Sequence, residues 1–128
     1  ERGTVELSLT DAGRKDPLFG SLPDRFEAQT GHTDVVDSLP QDVELLAENG
    51  SVATQAFRVR GTLFYSTQFH PDLTGQEARA RYLAYAHKLD HDAAEEARSH
   101  AKTYLPGHDG ASALLSRFVA LVASDTGR

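Results

Sequence analysis

Cysteine, methionine and tryptophan are absent from this chain of 128 residues. Without cysteine, no disulfide, thiolate metal site or cysteine nucleophile can be built from these residues. Without methionine, Glu1 is not a translation start, and sequence upstream of it is expected. No apolar run approaches the roughly 18 residues that a membrane span requires, and Glu1-Arg2-Gly3 lacks the charged-then-apolar layout of a signal peptide. The cytoplasm is therefore the expected setting, with no membrane partner. Basic residues are the scarcer charge, 13 against 19 acidic ones for a net charge of -6, and they are scattered among the acids. That distribution argues against a nucleic-acid or acidic-membrane surface and favours a small soluble ligand.

What is present has the size of one domain. Val5 to Leu9 alternates apolar and polar residues as a half-buried strand does, and Asp11-Ala12-Gly13 supplies turn residues after it. Asp16 to Pro23 contains two prolines and a glycine, yet carries Leu18, Phe19 and Leu22, which predicts a loop or short helical turn pinned to the core. Phe26 to Gln29 reads as another short strand.

The middle of the chain reads as an antiparallel meander: Val43 to Glu48, Val52 to Val59, then Thr62 to Phe69, separated by Asn49-Gly50 and Arg60-Gly61. Asn-Gly predicts a type I′ hairpin, because both central residues need positive φ. The strand Leu63 to Phe69 is apolar enough to be mostly buried and leads directly into His70-Pro71.

Helical spacing follows. Thr74-Gly75-Gln76-Glu77 has the pattern of a capping box, and Ala78, Tyr82, Tyr85, Ala86 and Leu89 fall on one face. Asp92 to about Tyr104 predicts a polar, exposed helix with a stripe of Ala93, Ala97 and Ala101, ended by Pro106-Gly107. Asp109 is expected to cap a last amphipathic helix carrying Leu114, Leu115, Phe118, Leu121 and Val122. Strands followed by packing helices give an α/β class, but few βα units are visible. The chain thus reads as the second half of a larger α/β domain whose first half supplies central parallel strands.

His70 and Asp72, one residue apart at a strand end, have the types needed for the last two members of a Cys-His-acid triad. Imidazole moves the thiol proton, and the acid holds the other ring N–H. As bare spacing, His-x-Asp is common and also fits a surface loop. The context is more specific: Gln68-Phe69-His70-Pro71-Asp72 resembles the Q-F-H-P-E signature of class I glutamine amidotransferases. Asp16-Pro17-Leu18-Phe19 with Leu22-Pro23 and Phe26, and His32-Thr33-Asp34 with Val36 and Leu39-Pro40, are similar to two further stretches of that family, in the same order. The likeness covers roughly residues 4 to 72.

This resemblance implies a flavodoxin-like amidotransferase domain, of which residues 1–128 would be the C-terminal portion. It makes His70 the catalytic base and puts Asp72 in the place of the family glutamate, one methylene shorter. Asp72 either still orients His70 or leaves the bond long. His32 lies in a loop that the resemblance places near bound glutamine, where it either lines the pocket or fixes the loop; Gly31 stands where many relatives have serine. The family's G-x-C-x-G elbow is not in the chain, nor is a G-x-S-x-G replacement. No cofactor is implied. The implied ligand is glutamine or a γ-glutamyl compound, and the implied partner an ammonia-accepting synthase subunit or domain. A short tail after His70 favours a stand-alone enzyme over a fused synthase. A γ-glutamyl peptidase or hydrolase on the same scaffold, or a catalytically silent regulatory domain, stays open.

His87 and His91, four apart on one expected helix, could suggest zinc, but Lys88 replaces the glutamate of H-E-x-x-H, and no metal site is expected. His100 and His108 read as surface residues, and Tyr82 and Tyr85 as core or rim.

Overall fold

The computed structural model describes residues 1–32 and 34–126. Five strands form one sheet in the order β2-β1-β3-β4-β5: β1 (Arg2–Leu9), β2 (Arg25–Gly31), β3 (Val43–Glu48), β4 (Ala56–Val59) and β5 (Tyr65–Thr67). Every strand pairing among the described residues is antiparallel. The architecture is mixed α/β, with a meander through β3, β4 and β5 and helices after it, as the sequence patterning implied. Leu7, Leu9, Phe26, Ala28, Leu46, Ala47 and Ala56 from the strands meet Leu18, Phe19 and Phe69 in the main core.

The link from β1 to β2 departs from expectation. Asp11-Ala12-Gly13 is not a turn but the start of a short helix, α1 (Asp11–Lys15). Thr10 caps it by accepting the Gly13 N–H at 3.0 Å. Gly13 packs so closely on β3 that a Cβ there would overlap the Leu46 carbonyl oxygen. The Asp16 to Pro23 stretch holds a single 3-10 turn at Phe19–Ser21, with Leu18, Phe19 and Leu22 buried as the sequence suggested.

The Asn49-Gly50 turn is not type I′. Among the described residues only Gly3, Gly61 and Gly107 take positive φ. Instead, Asn49 Oδ1 accepts the Ser51 and Val52 N–H groups at 3.1 and 2.7 Å, forming an Asx-type turn. The side-chain bond supplies the reversal without a left-handed asparagine, and the loop runs on to Ala56, where β4 begins. β5 is shorter than expected, and Phe64 before it is 61% exposed; burial resumes at Phe69.

Helix α2 (Gly75–Ala86) starts with the expected capping box: Glu77 N–H donates to Thr74 Oγ1 and Thr74 N–H to Glu77 Oε1. Its inner face is Gly75, Ala78 and Ala86, with Tyr82 half-buried; Tyr85 points outward, a correction to the face read from spacing. Helix α3 (His91–Ala101) packs on α2 through Ala94 and Ala97, with Asp90 as its cap. Asp109 does not cap its own segment. It precedes a 3-10 turn at Gly110–Ala113, and its carboxylate accepts the Gly75 N–H at 2.7 Å, satisfying the start of α2 instead. Helix α4 (Leu114–Thr126) lays Leu114, Phe118 and Leu121 on the main core, while Leu115 and Val119 are exposed. No helix among the described residues is long and apolar enough to cross a membrane.

Candidate functional site

β2 and β5 lie at opposite edges of the sheet, yet the chain after β5 returns to β2. Gln68 N–H donates to Gln55 O at 2.8 Å, and two residues later His70 N–H donates to Gln29 O at 2.8 Å. The Gln29–His70 bridge joins the two edges, so His70 occupies the point where the sheet curls closed. Gln29 is itself fixed from both ends of its amide: Oε1 accepts from Thr4 Oγ1 at 2.7 Å, and Nε2 donates to His108 O at 2.8 Å. Sequence spacing contained no signal for Gln29, because its role is a backbone carbonyl presented by tertiary packing.

Strand alternation then orients the histidine. Phe69 is buried edge-on to Phe26, with ring centroids 5.9 Å apart, which turns its neighbours Gln68 and His70 away from that core. Leu73 N–H reaches back to His70 O at 3.4 Å, folding the chain after His70 into a turn. Within it, His70 Nδ1 and Asp72 Oδ1 are 3.4 Å apart, with side chains 47% and 49% exposed. That is beyond the usual N–H···O range, so the pair is a charge contact rather than a short hydrogen bond. An N–H on Nδ1 aimed at Asp72 leaves Nε2 available to exchange a proton on the other side of the ring.

His70 lines a cavity of about 170 Å³ with Gln29, Gly31, Arg81, Tyr82 and Tyr104 among its walls. A more polar hollow of about 410 Å³ adjoins it through the shared residues Gly31 and Tyr82, and is lined also by Arg2, His32, Asp34 and Gln68. Gly31 keeps the junction open: a Cβ there would sit 3.1 Å from the Tyr104 hydroxyl and 3.2 Å from that of Tyr82. The Tyr82 and Tyr104 rings pack together at 5.1 Å between centroids. Tyr104 donates its hydroxyl proton to Thr30 O, and burial, followed by the neighbouring Tyr82 hydroxyl, raises its pKa well above the ordinary value. Tyr82 is thus a rim residue of both hollows.

His32 both borders the larger hollow and is tied down within it. Nδ1 lies 2.9 Å from Asp34 O and Nε2 lies 3.1 Å from Glu1 Oε1, with the side chain 12% exposed. Thr33, between the two motif residues, lies outside the described residues. The Glu1 carboxylate also accepts from Asn49 Nδ2 and Gln55 Nε2, both at 2.8 Å. Burial would raise the Glu1 pKa, but the donors Asn49, Gln55 and His32 together bring it below the ordinary value.

The Asp16-Pro17-Leu18-Phe19 stretch has a different task. Buried Asp16 accepts the Leu18 and Phe19 N–H groups at 2.9 and 3.0 Å, Arg58 Nη1 at 3.0 Å and the Tyr65 hydroxyl at 3.0 Å. This fully paired carboxylate fastens the loop to β4 and β5, the strands that lead to His70. Beside it, Leu18, Phe19, Tyr65, Pro71, Leu114 and Phe118 line an apolar cleft of about 200 Å³ that offers no charged group.

The remaining histidines are dispersed. His87 is the C-cap of α2 and His91 opens α3, because Asp90 starts a new helix between them; the expected single helix is absent. His91 instead faces Glu95 at 3.5 Å. Among the described residues no group of three or more His, Asp or Glu is arranged to hold a metal ion. His100 packs edge-on against Tyr82 at 6.4 Å, and His108 Nδ1 meets Glu27 at 2.7 Å, a pairing across 81 positions that spacing could not reveal.

The sequence model of the family described as "Glutamine amidotransferase class-I" matches residues 2–88. The chain is 38% identical over 71 residues to a glutamine-hydrolyzing GMP synthase of Caldicellulosiruptor saccharolyticus, covering 52% of this chain and 14% of that one. It is 34% identical over 73 residues to a subunit of the glutamine-hydrolyzing GMP synthase of Thermoplasma acidophilum, covering 57% and 35%. In three dimensions it resembles a GMP synthase subunit protein of Thermoplasma acidophilum (TM-score 0.64, 20% identity, 99% of this chain and 46% of that one). A glutamine amidotransferase of Thermotoga maritima is similar (TM-score 0.68, 18% identity, 94% and 50%). The chain spans about half the length of these two solved relatives.

Proposed function

Since this chain belongs to the class I glutamine amidotransferase family, we propose that residues 1–128 are the C-terminal portion of one such domain and supply the histidine and acid of a Cys-His-acid triad. The nucleophilic cysteine is assigned to the rest of the domain, and the whole protein would hydrolyse the side-chain amide of glutamine. The single observation that carries this reading is the placement of His70. It is held by Gln29 at the closure of the sheet, has Asp72 beside its Nδ1, and lines a cavity.

In the proposed reaction the thiolate adds to the amide carbon, forming a C–S bond. The protonated His70 gives its proton to the departing nitrogen as the C–N bond breaks, releasing ammonia and leaving a thioester. His70 then takes a proton from water as water attacks the thioester, and returning that proton to sulfur frees glutamate and the thiol. Asp72 would stabilise the imidazolium through its charge across the 3.4 Å contact. His32 would border the polar hollow that adjoins the substrate cavity, its ring immobilised by Asp34 and Glu1. The partner proposed for the ammonia is a synthase subunit or domain, consistent with relatives named both as GMP synthase and as one subunit of it.

Ammonia release from L-glutamine by the full-length protein tests this function, with γ-glutamyl peptides as the comparison. Glutamine turnover supports it. Amine release from γ-glutamyl peptides with glutamine untouched would favour the γ-glutamyl hydrolase, and no turnover of either would leave a silent domain.

A further inference from the structure

Helix α2 brings a second charged group to the cavity of His70. Arg81 lines that cavity, yet among the described residues its side chain makes no salt bridge or hydrogen bond. Its charge is felt by Glu77 one turn earlier, but that carboxylate is already committed to the Thr74 N–H in the capping box. Leu73 and Ala78 line the same cavity, so the solvent-exposed Arg81 guanidinium is the group there that can pair with an incoming anion.

The helix that carries Arg81 is fixed at several points. Asp109 and the capping box hold its first turn, and a Cβ on Gly75 would overlap the Leu105 carbonyl oxygen. Arg79 donates to Ala101 O at 3.3 Å, and Tyr82 packs on Tyr104. The guanidinium is thus displayed from a rigid element, as a recognition group must be to select one geometry.

We infer that Arg81 binds the α-carboxylate of the substrate and sets specificity for amino-acid amides over simple amides; this rests on the glutaminase reading above. Four carbon–carbon bonds separate the reacting amide carbon of glutamine from its carboxylate carbon, a span of roughly 5 Å when extended. An amide carbon beside His70 therefore leaves the carboxylate within the same small cavity, where Arg81 is the cation. The hollow next to it holds Arg2, but there with the Asp34 carboxylate as a second, competing charge. A guanidinium meets a carboxylate through two parallel hydrogen bonds, a geometry that a lysine at the same position lacks.

The experiment compares full-length protein with its Arg81→Gln and Arg81→Lys variants on two amides, L-glutamine and 4-aminobutanamide, which has no carboxylate. For R81Q, the KM for glutamine is expected to rise about 10- to 100-fold, with a smaller change in kcat. Its preference for glutamine over 4-aminobutanamide should fall by a similar factor. R81K should recover only part of that preference. An R81Q enzyme with unchanged KM and unchanged preference overturns the inference while leaving the glutaminase reading intact. Titration calorimetry with L-glutamate provides a readout that needs no turnover: binding by wild type but not by R81Q supports the assignment, and equal binding, or binding by neither, overturns it. Absence of ammonia release in every form would count against the glutaminase reading and not against the carboxylate site.

Discussion

Asp72 stands 3.4 Å from His70 across a two-residue turn, with both side chains half-exposed. The contact lies within a turn closed by Leu73 N–H on His70 O, and an aspartate carries its carboxylate one methylene nearer its own backbone than a glutamate would. Extending the acid should shorten the contact. Asp72→Glu is expected to preserve or raise kcat for glutamine in the full-length protein, while Asp72→Asn lowers it about tenfold or more by removing the charge opposite the imidazolium. Steady-state ammonia release measures both, and a D72E enzyme slower than D72N would exclude this role for the acid.

His70 itself should be indispensable. His70→Ala is expected to reduce turnover by at least about 100-fold, the lower end of what a positioned proton carrier contributes. Circular dichroism should match wild type, since what places residue 70 is its backbone bond to Gln29. Turnover equal to wild type would remove the assignment.

Asp16 is a buried carboxylate whose four donors come from two backbone groups, Arg58 and Tyr65. Arg58→Ala leaves that charge without its cation, with side-chain exposures of 18% and 3% for the Arg58–Asp16 pair. The expected cost is about 3 kcal/mol of folding stability, read as a shift in the urea midpoint of the full-length protein. A loss below about 1 kcal/mol would place the pair with ordinary surface ion pairs.

Tyr65 makes stability sensitive to alkali. Burial first, then the charge and hydrogen bond of Asp16, raise its pKa well above the ordinary 10.0. A group whose folded pKa is raised contributes stability that is complete below its unfolded value and declines as pH rises through the interval up to the folded one. Thermal stability should therefore fall above about pH 10, the ordinary tyrosine value. The fall should be smaller for Tyr65→Phe, which has no phenol to ionise. Melting curves across that range decide it, and identical slopes for the two proteins would count against a half-buried, Asp16-bound phenol.

Gly75 admits α2 to its seat against the Leu105 carbonyl. Gly75→Ala must displace one or the other, at an expected cost of about 1–3 kcal/mol. Because α2 forms one wall of the cavity of His70, the KM for glutamine should rise with it. A variant as stable as wild type would mean that the loop yields freely.

Several features are legible in the chain without any knowledge of its folding. The Thr74-to-Glu77 capping box, the meander, the buried Leu18, Phe19 and Leu22, and the family signature around His70 are all written in local spacing, because each depends on residues a few positions apart. Local reasoning fails where a distant partner competes for a group. Asp109 has the composition of a cap for its own segment, but the Gly75 N–H, 34 positions away, takes its carboxylate. Asn49-Gly50 suggests a type I′ turn, but the asparagine side chain closes the loop by another route.

The order of residues alone sets the alternation that buries Phe69 and frees His70, the short spacing that brings Asp72 beside it, and the family to which both belong. Three-dimensional packing was needed to make Gln29 hold His70 across the closure of the sheet, and to bring Arg81 and Tyr82 into its cavity. The difference is one of range. Periodicity and capping act over a few residues, whereas the sheet's closure and the docking of α2 arise from contacts between segments far apart in the chain, which spacing does not encode.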